Sequence, residues 1–174
     1  GVKIPCVGYG TFRTPADVAE QAVKEAIETG YRHIDTAAVY GNEEAVGKGI
    51  KDSGIKREDL FVTSKLWNTN RGYEQTKKAF QETLDRLQMD YLDLYLIHWP
   101  ANEKQFGDDA AKINAETWRA MEDLYNEGKI RAIGVSNFMP HHIAELMKTA
   151  KVAPAVDQIE VHPGWPHTEE VKYL

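Results

Sequence analysis

The sequence predicts a parallel α/β barrel of the (β/α)8, or TIM, type, and its 174 residues suffice for about the first five to six βα units. Apolar runs alternate with segments of helical period, and the strand ends recur about every 30 residues, the length of one βα unit. No glycine-rich GxGxxG follows a strand, as an open dinucleotide-binding sheet would require. We therefore expect residues 1–174 to form one domain, about the N-terminal two-thirds of such a barrel.

Six apolar runs are predicted to be buried strands, because they are continuous rather than alternating in polarity. They span residues 6–9, 31–34, 60–63, 92–97, 130–135 and 156–161. The only cysteine, Cys6, falls in the first run and is expected to be a core residue. Because a single cysteine cannot form an internal disulfide, it also fits a reducing compartment, and we expect a cytoplasmic protein.

Local signals mark the ends of the intervening helices. Thr14 is predicted to cap the first helix, with Pro15 at its first position and Gly30 just past its end. Residues 101–115, after the fourth strand, form the longest segment without a clear period and are predicted to be a functional loop.

Composition argues against several classes of partner. The formal net charge is −6 and no basic block occurs, so neither nucleic acid nor an anionic membrane is an expected partner. No run of about 18 apolar residues is present, so no membrane-spanning segment is predicted. No leader precedes Gly1, and the absence of an initiating Met leads us to expect that the natural N-terminus lies further upstream.

Polar side chains stand at almost every predicted strand end, where the active site of a parallel barrel lies. Each alone also fits a structural role, such as loop capping for Asp35 or a core imidazole for His98, and only their convergence favours a site. In chain order these residues are Thr11, Asp35, Lys65, His98, Ser136, Asn137, Gln158, Glu160 and His162.

With Tyr40 in the loop after the second strand, four residue types suit carbonyl reduction. A carbonyl that accepts a hydride needs a proton at its oxygen, but tyrosine, with a pKa near ~10, is a weak acid unless its anion is stabilised. An ammonium such as that of Lys65 favours the phenolate, and a carboxylate such as Asp35 keeps the ammonium charged. His98 would stabilise negative charge on the carbonyl oxygen.

Six segments resemble the signatures of the aldo-keto reductase family, in order and at matching spacing. They are GYGTF at 8–12, HIDTA at 33–37, YGNE at 40–43, TSKLW at 63–67, LYLIHWP at 94–100 and GVSNF at 134–138. The resemblance covers the whole chain. Within the family, the sequence is similar to small bacterial and plant reductases of sugars, keto-acids and α-dicarbonyls. It implies an oxidoreductase in which Tyr40 is the general acid, Asp35 and Lys65 tune it, and His98 orients the carbonyl.

The resemblance also implies an NADP(H) site and a substrate pocket. Preference for NADP over NAD follows from the resemblance alone, since the family binds the 2′-phosphate with its last two barrel units. Trp67, His98 and Trp99 match the substrate pocket, and Phe12 stands where many members carry Trp. The residues that match cofactor-binding positions are Gly10, Thr11, Phe12, Asp35, Ser136, Asn137 and Gln158.

Alternative functions remain open at this point. A lysine at a barrel strand end is also what a Schiff-base lyase uses, with Lys65 as the nucleophile. A metal-dependent hydrolase is weaker, because no His-x-His pair occurs and no metal is expected. Some family members serve as non-catalytic, cofactor-sensing regulatory subunits, although all four catalytic residue types are present here.

We predict that the natural polypeptide continues past Leu174 for about 80–110 residues, which would complete eight βα units, and that it is a monomer. Six strands leave two parallel edges with unpaired backbone groups, and a helix begun at Thr168 is too short to cover the last strand. The intact mass of the natural protein checks this expectation. A natural protein of only 19.7 kDa that binds NADPH tightly would contradict it.

Overall fold

The computed structural model describes residues 1–173, and Leu174 lies outside the described residues. One parallel sheet forms its centre, and each strand pairs with the next in the sequence. The strands are β1 (Tyr9–Gly10), β2 (His33–Asp35), β3 (Phe61–Leu66), β4 (Leu92–Ile97), β5 (Ile130–Ser136) and β6 (Asp157–Gln158). The sheet is curled and covered by helices, so the fold is a partial (β/α)8 barrel, and the predicted fold class is confirmed.

Helices follow the strands on the outside of the curl. They are α1 (Ala16–Thr29), α2 (Glu43–Asp52), α3 (Tyr73–Leu87), α4 (Glu103–Phe106), α5 (Asp109–Asn126), α6 (Pro140–Leu146) and α7 (Thr168–Tyr173). Gly30 ends α1 as predicted, with a left-handed φ of 116°. The predicted cap at Thr14 is wrong, because Pro15 occupies the cap position and no side chain bonds the first turn. Within residues 1–173 no helix has the length and apolarity needed to cross a membrane.

The parallel register brings the carboxyl ends of the strands to one edge of the sheet. Asp35 is level with Thr63, and Lys65 lies two residues further along β3 on the same face. On the other side of the curl, Ser136 is level with Gln158. The polar residues at these strand ends are therefore neighbours in space although they are far apart in the sequence.

Two apolar layers support this polar edge. A small layer fills the inside of the curl and consists of Phe61, Leu94, Leu96, Ala132 and Val156. Phe61 and Lys65 are four residues apart on β3 and point to the same face, so the polar edge lies above this apolar floor. A larger layer separates the sheet from the helices, and its largest buried rings are Phe80, Tyr95, Trp118 and Phe138.

The first and last strands are shorter than predicted. Strand β1 contains only two residues, and the chain before Tyr9 has no strand partner within the described part. Cys6 is consequently exposed, and the expectation that it is a core residue is wrong. Strand β6 also contains two residues of the predicted 156–161, and Val161 is 55% exposed. Apolar composition alone does not pair a strand, which needs a neighbour in register.

The predicted loop at residues 101–115 is largely helical, so that prediction is wrong. Asn102 caps α4 by accepting a hydrogen bond from the backbone N–H of Gln105 at 3.0 Å, and Gly107 ends this helix. Helix α5 then begins at Asp109. Its inner face starts with small or polar buried residues, among them Asn114, so the hydrophobic period becomes visible only further along the helix.

We predict that Gly47→Ala destabilises the fold. A Cβ at Gly47 on α2 would lie 2.4 Å from the carbonyl oxygen of Leu87 on α3. Helix propensity alone would favour alanine by about 1 kcal/mol. Because backbone would have to move, we expect instead a net loss of about 1–3 kcal/mol in the free energy of unfolding.

Urea unfolding of the full-length protein measures this change. Lys51→Ala on the exposed face of α2 is the control, with an expected change within about 0.5 kcal/mol. A Gly47→Ala variant as stable as the wild type would show that the two helices do not pack through this contact.

Candidate active site

Four side chains converge at the carboxyl edge of the sheet. Asp35 ends β2, and Lys65 lies near the end of the neighbouring strand β3. Tyr40 is the last residue of a 3₁₀ helix (Ala38–Tyr40) in the loop after β2, and His98 directly follows β4. The strand-end rule therefore located three of these residues, and the loop after β2 delivers the fourth.

Lys65 is at the centre of the group. Its Nζ donates to Asp35 Oδ1 at 2.5 Å, to the carbonyl oxygen of Thr36 at 3.0 Å and to the hydroxyl oxygen of Tyr40 at 3.4 Å. The lysine side chain is only 1% exposed, so these three acceptors take the place of water around the three ammonium protons. Burial lowers the pKa of Lys65, and the charge of Asp35 opposes that change.

Tyr40 is protonated in this arrangement. Burial, and then the negative charge of Asp35, raise the pKa of Tyr40 to about 12. Burial and the charge of Asp35 together outweigh the ammonium of Lys65 at the phenol, and stabilisation of the phenolate by Lys65 once the proton has left stays a prediction. Since Lys65 donates to the phenol oxygen, the hydroxyl proton of Tyr40 is left to point into the cavity.

His98 is a neutral imidazole between two other rings. Its ring centroid lies 5.7 Å from that of Tyr40 and 5.3 Å from that of Trp67, both in edge-to-face contact. Burial, and then the charge of Lys65, lower the pKa of His98 to about 4. Its Nδ1 is buried and has no hydrogen-bond partner among residues 1–173. An unpaired acceptor is easier to tolerate than an unpaired N–H, so the proton belongs on Nε2.

Polar side chains of β5 and β6 form a second cluster beside the first. Gln158 Nε2 donates to Asp35 Oδ2 at 2.8 Å, which links the far strand to the ion pair. Ser136 Oγ donates to the carbonyl oxygen of Gln158 at 2.8 Å. Asn137 Nδ2 donates to the carbonyl oxygen of His98 at 3.0 Å and to Ser136 Oγ at 3.1 Å. Asn137 has a φ of 60°, a conformation that asparagine tolerates better than most residues.

These bonds fix the orientation of both amides, because a carboxylate or a carbonyl oxygen can only accept a hydrogen bond. Asn137 Oδ1 and Gln158 Oε1 remain as acceptors, and no group in the described part of the chain donates to them. Both side chains line the same cavity. Two amide oxygens of this kind complement the N–H groups of a carboxamide, so the residues fit a nicotinamide cofactor.

The cavity has a volume of about 1240 Å³ and aromatic walls. Phe12, Trp67 and Trp99 line it, and Phe12 and Trp99 are 62% and 46% exposed. The rings of Phe12 and Tyr40 lie 5.2 Å apart. Gly10 also lines the cavity, so the turn after β1 borders the entrance. Exposed rings around a few polar groups are typical of a small-molecule site.

Thr11 differs from the other residues predicted to contact a cofactor. Its side chain is fully buried, and its Oγ1 donates to Thr36 Oγ1 at 2.9 Å instead of lining the cavity. The side chain of Thr11 thus fixes the turn, and the contact of Thr11 with a cofactor stays a prediction. Sequence reasoning missed Asn42, whose Nδ2 donates to the carbonyl oxygens of Thr11 and Thr14 at 2.9 Å each. The only indication in the sequence was that Asn42 stands two residues after Tyr40.

Arg13 also lines the cavity and was not predicted there. It has a φ of 59°, and its Cζ lies 5.1 Å from the ring centroid of Phe12. No sequence signal announces a left-handed arginine, because the conformation depends on the surrounding turn. Residues 1–173 contain no cluster of three or more His, Cys, Asp or Glu side chains that could hold a metal ion.

Comparison with known proteins assigns this architecture to a family. The model of the aldo/keto reductase family matches residues 6–173. Glyoxal reductase of Bacillus subtilis is 56% identical over 164 residues, which cover 94% of this chain and 56% of that protein. A 9,11-endoperoxide prostaglandin H2 reductase of Trypanosoma cruzi is 52% identical over 164 residues, covering 93% of this chain and 54% of that protein. The chain thus spans a little more than half the length of these relatives.

Solved structures agree in fold over nearly the whole chain. MGS-M4, an aldo-keto reductase from a Medee basin deep-sea metagenome library, has a TM-score of 0.92 at 50% identity, covering 99% of this chain and 60% of that one. Bombyx mori aldo-keto reductase in complex with NADP has a TM-score of 0.90 at 43% identity, covering 98% of this chain and 59% of that one.

We predict that His98 stays neutral until strongly acid pH. Its pKa is about 4 in the folded chain, against an ordinary value of 6.5. Below pH 6.5 His98 is protonated in the unfolded chain, whereas in the folded chain it stays neutral until about pH 4. His98 therefore contributes a loss of stability as the pH falls between these values, and no further loss below them.

An NMR titration of the imidazole signals in the full-length protein checks this value, and His98→Gln identifies the His98 signal by its disappearance. The same variant should lose less stability than the wild type between neutral pH and pH 4. A His98 midpoint at the ordinary value would show that the ring is not desolvated as described.

Proposed function

The chain belongs to the aldo/keto reductase family, and from this premise we propose that the full-length protein is an NADP(H)-dependent oxidoreductase that reduces aldehydes or ketones to alcohols. The observation that carries the proposal is the protonated hydroxyl of Tyr40, held 3.4 Å from the buried ammonium of Lys65. This arrangement offers a carbonyl oxygen a proton, together with a positive charge that stabilises the phenolate left behind.

Residues of β5 and β6 would hold the cofactor at this edge of the sheet. Asn137 Oδ1 and Gln158 Oε1 would accept hydrogen bonds from the carboxamide, and Gly10 and Phe12 would border the cofactor from the first turn. When bound, the reduced nicotinamide supplies a hydride to the carbonyl carbon. The bound NADP in the Bombyx mori relative supports NADP(H) as the cofactor.

The proton would pass from the Tyr40 hydroxyl to the carbonyl oxygen as that oxygen becomes negative. An alkoxide is a stronger base than a phenolate, so Tyr40 is acidic enough even with a pKa raised to about 12. The phenolate then faces Nζ of Lys65, whose charge stabilises it. Neutral His98, with its proton on Nε2, would donate a second hydrogen bond to the same carbonyl oxygen and so orient the substrate.

Sugars, keto-acids and α-dicarbonyls are the proposed substrate classes, bound among Trp67, His98 and Trp99. The name of the Bacillus subtilis relative, glyoxal reductase, supports the dicarbonyls in particular. NADPH oxidation by the full-length protein against glyoxals, aldoses and keto-acids tests the proposal. A folded protein that binds NADPH but reduces none of them would contradict it. We further propose that the protein is cytoplasmic, in keeping with the single cysteine, and that the full-length protein is a monomer.

The Schiff-base alternative is disfavoured by the contacts of Lys65. A nucleophilic lysine must lose a proton and present a lone pair to the substrate. Lys65 instead donates to three acceptors and is 1% exposed. A regulatory subunit would bind NADPH without reducing any carbonyl, so the same substrate panel distinguishes it from the enzyme.

We predict that Tyr40→Phe abolishes most turnover and leaves NADPH binding unchanged. The substitution removes the proton donor and keeps the ring, so kcat should fall by about 10²–10⁴-fold. Steady-state kinetics and NADPH fluorescence titration measure the two effects. Tyr125→Phe, on the exposed side of α5, is the matched control and should behave as the wild type. Near-normal turnover in Tyr40→Phe would mean that the proton comes from another group.

A further inference from the structure

The loop that leaves β4 carries two residues of the site, and side chains from three other elements fix its backbone. Each of the four consecutive carbonyl oxygens from residue 98 to residue 101 accepts a side-chain hydrogen bond, so this stretch needs no strand partner. The pairs are Asn137 with His98, Arg71 with Trp99 and Pro100, and Asn114 with Ala101.

Arg71 has the central place among these donors. Its Nη2 donates to the carbonyl oxygen of Trp99 at 3.0 Å and to that of Pro100 at 2.9 Å. Its Cζ lies 5.5 Å from the ring centroid of Phe106, so α4 covers the guanidinium. Its Nε is buried without a hydrogen-bond partner among the described residues. Burying this Nε–H without a partner costs free energy, whereas a surface arginine without a structural role would keep its guanidinium in water.

The turn that bears Arg71 is itself anchored. Gly72 has a φ of 94°, a conformation open to glycine and strained for other residues. Its backbone N–H donates to Thr117 Oγ1 on α5 at 2.8 Å, and its carbonyl oxygen accepts from Thr76 Oγ1 at 2.6 Å. Bonds to α3 and α5 thus hold the backbone beside Arg71 in place, and Arg71 in turn holds the loop after β4.

The side chain of Trp99 depends on this support. Its indole is 46% exposed, so few neighbours hold the ring, and the position of its backbone decides which part of the mouth the ring can reach. Trp99 borders both the main cavity and a smaller one of about 300 Å³ that Trp165 also lines. A carbonyl compound that reaches beyond Tyr40 and His98 would meet this indole, whereas a two-carbon dicarbonyl would not need it.

We propose that Arg71 is a positioning residue that sets the selection of larger carbonyl substrates by fixing the backbone of Trp99. Arg71 does not line the main cavity, so it acts through Trp99 and not by touching the substrate. His98 is tied separately by Asn137, so its orientation survives the loss of Arg71. The inference rests on the reductase function proposed above.

Arg71→Met in the full-length protein tests this role, because it keeps the length of the side chain and removes its donors. We expect kcat/KM for 4-nitrobenzaldehyde to fall about tenfold, mainly through KM, and that for glyoxal to change less than about threefold. Arg71→Lys keeps the charge and some donors, so its kcat/KM for 4-nitrobenzaldehyde should lie between those of the wild type and Arg71→Met. Arg131→Met is the matched control, since Arg131 bonds Asp93 near the start of β4, far from the mouth, and both substrates should respond equally.

Fluorine NMR of protein labelled with 5-fluorotryptophan gives a readout that does not depend on activity. The Trp99 signal, assigned by its loss in Trp99→Phe, should shift or broaden in Arg71→Met, while that of the buried Trp118 stays unchanged. An unchanged Trp99 signal, or equal losses for both aldehydes, would overturn the proposal. A wild type that reduces neither aldehyde would instead refute the proposed function, and the Trp99 signal would still decide whether Arg71 fixes the loop.

Discussion

The mouth of this barrel depends on one buried ion pair, that between Lys65 and Asp35. An ammonium that is 1% exposed would be unstable without a partner, since removing a charge from water costs several kcal/mol after relaxation. The carboxylate supplies that partner at 2.5 Å, and its second oxygen accepts from Gln158 at 2.8 Å. The pair therefore joins β2, β3 and β6, and the polar edge of the sheet is fixed by the same contacts that set its electrostatics.

Burial and the ion pair together explain why Tyr40 holds its proton. Burial raises the pKa of Tyr40, and the charge of Asp35 raises it further, while the same charge opposes the effect of burial on the pKa of Lys65. A phenol with a pKa of about 12 loses almost no protons to water, yet it can still transfer one to an alkoxide forming beside it. A site of this kind holds its proton until a strong base forms at the carbonyl oxygen.

The sequence allowed the curled parallel sheet and the four central side chains to be predicted, because strand ends in a parallel barrel meet at one edge and because Asp35, Lys65 and His98 directly end or follow strongly apolar runs. It did not reveal the direction of the pKa shift at Tyr40, which depends on the burial of the phenol and on its distance from Asp35. The exposure of Cys6 was equally hidden, because pairing depends on neighbouring strands. The helices within 101–115 were missed because their buried positions begin with small and polar residues.

The contacts of Arg71 were beyond sequence reasoning for a related reason: its acceptors are backbone carbonyl oxygens, which every residue carries. In the proposed function the site separates two tasks. The proton chemistry would belong to side chains that are buried and bonded to several strands, such as Lys65. The proposed substrate walls, Phe12 and Trp99, are exposed rings held mainly by their own turns. Substitutions that alter the turn of Trp99 can therefore change which carbonyl fits without disturbing the ion pair, because Arg71 and that turn share no hydrogen bond with Lys65 or Asp35 within the described residues. The turn of Phe12 is coupled more closely, because Thr11 donates to the backbone carbonyl oxygen of Asp35.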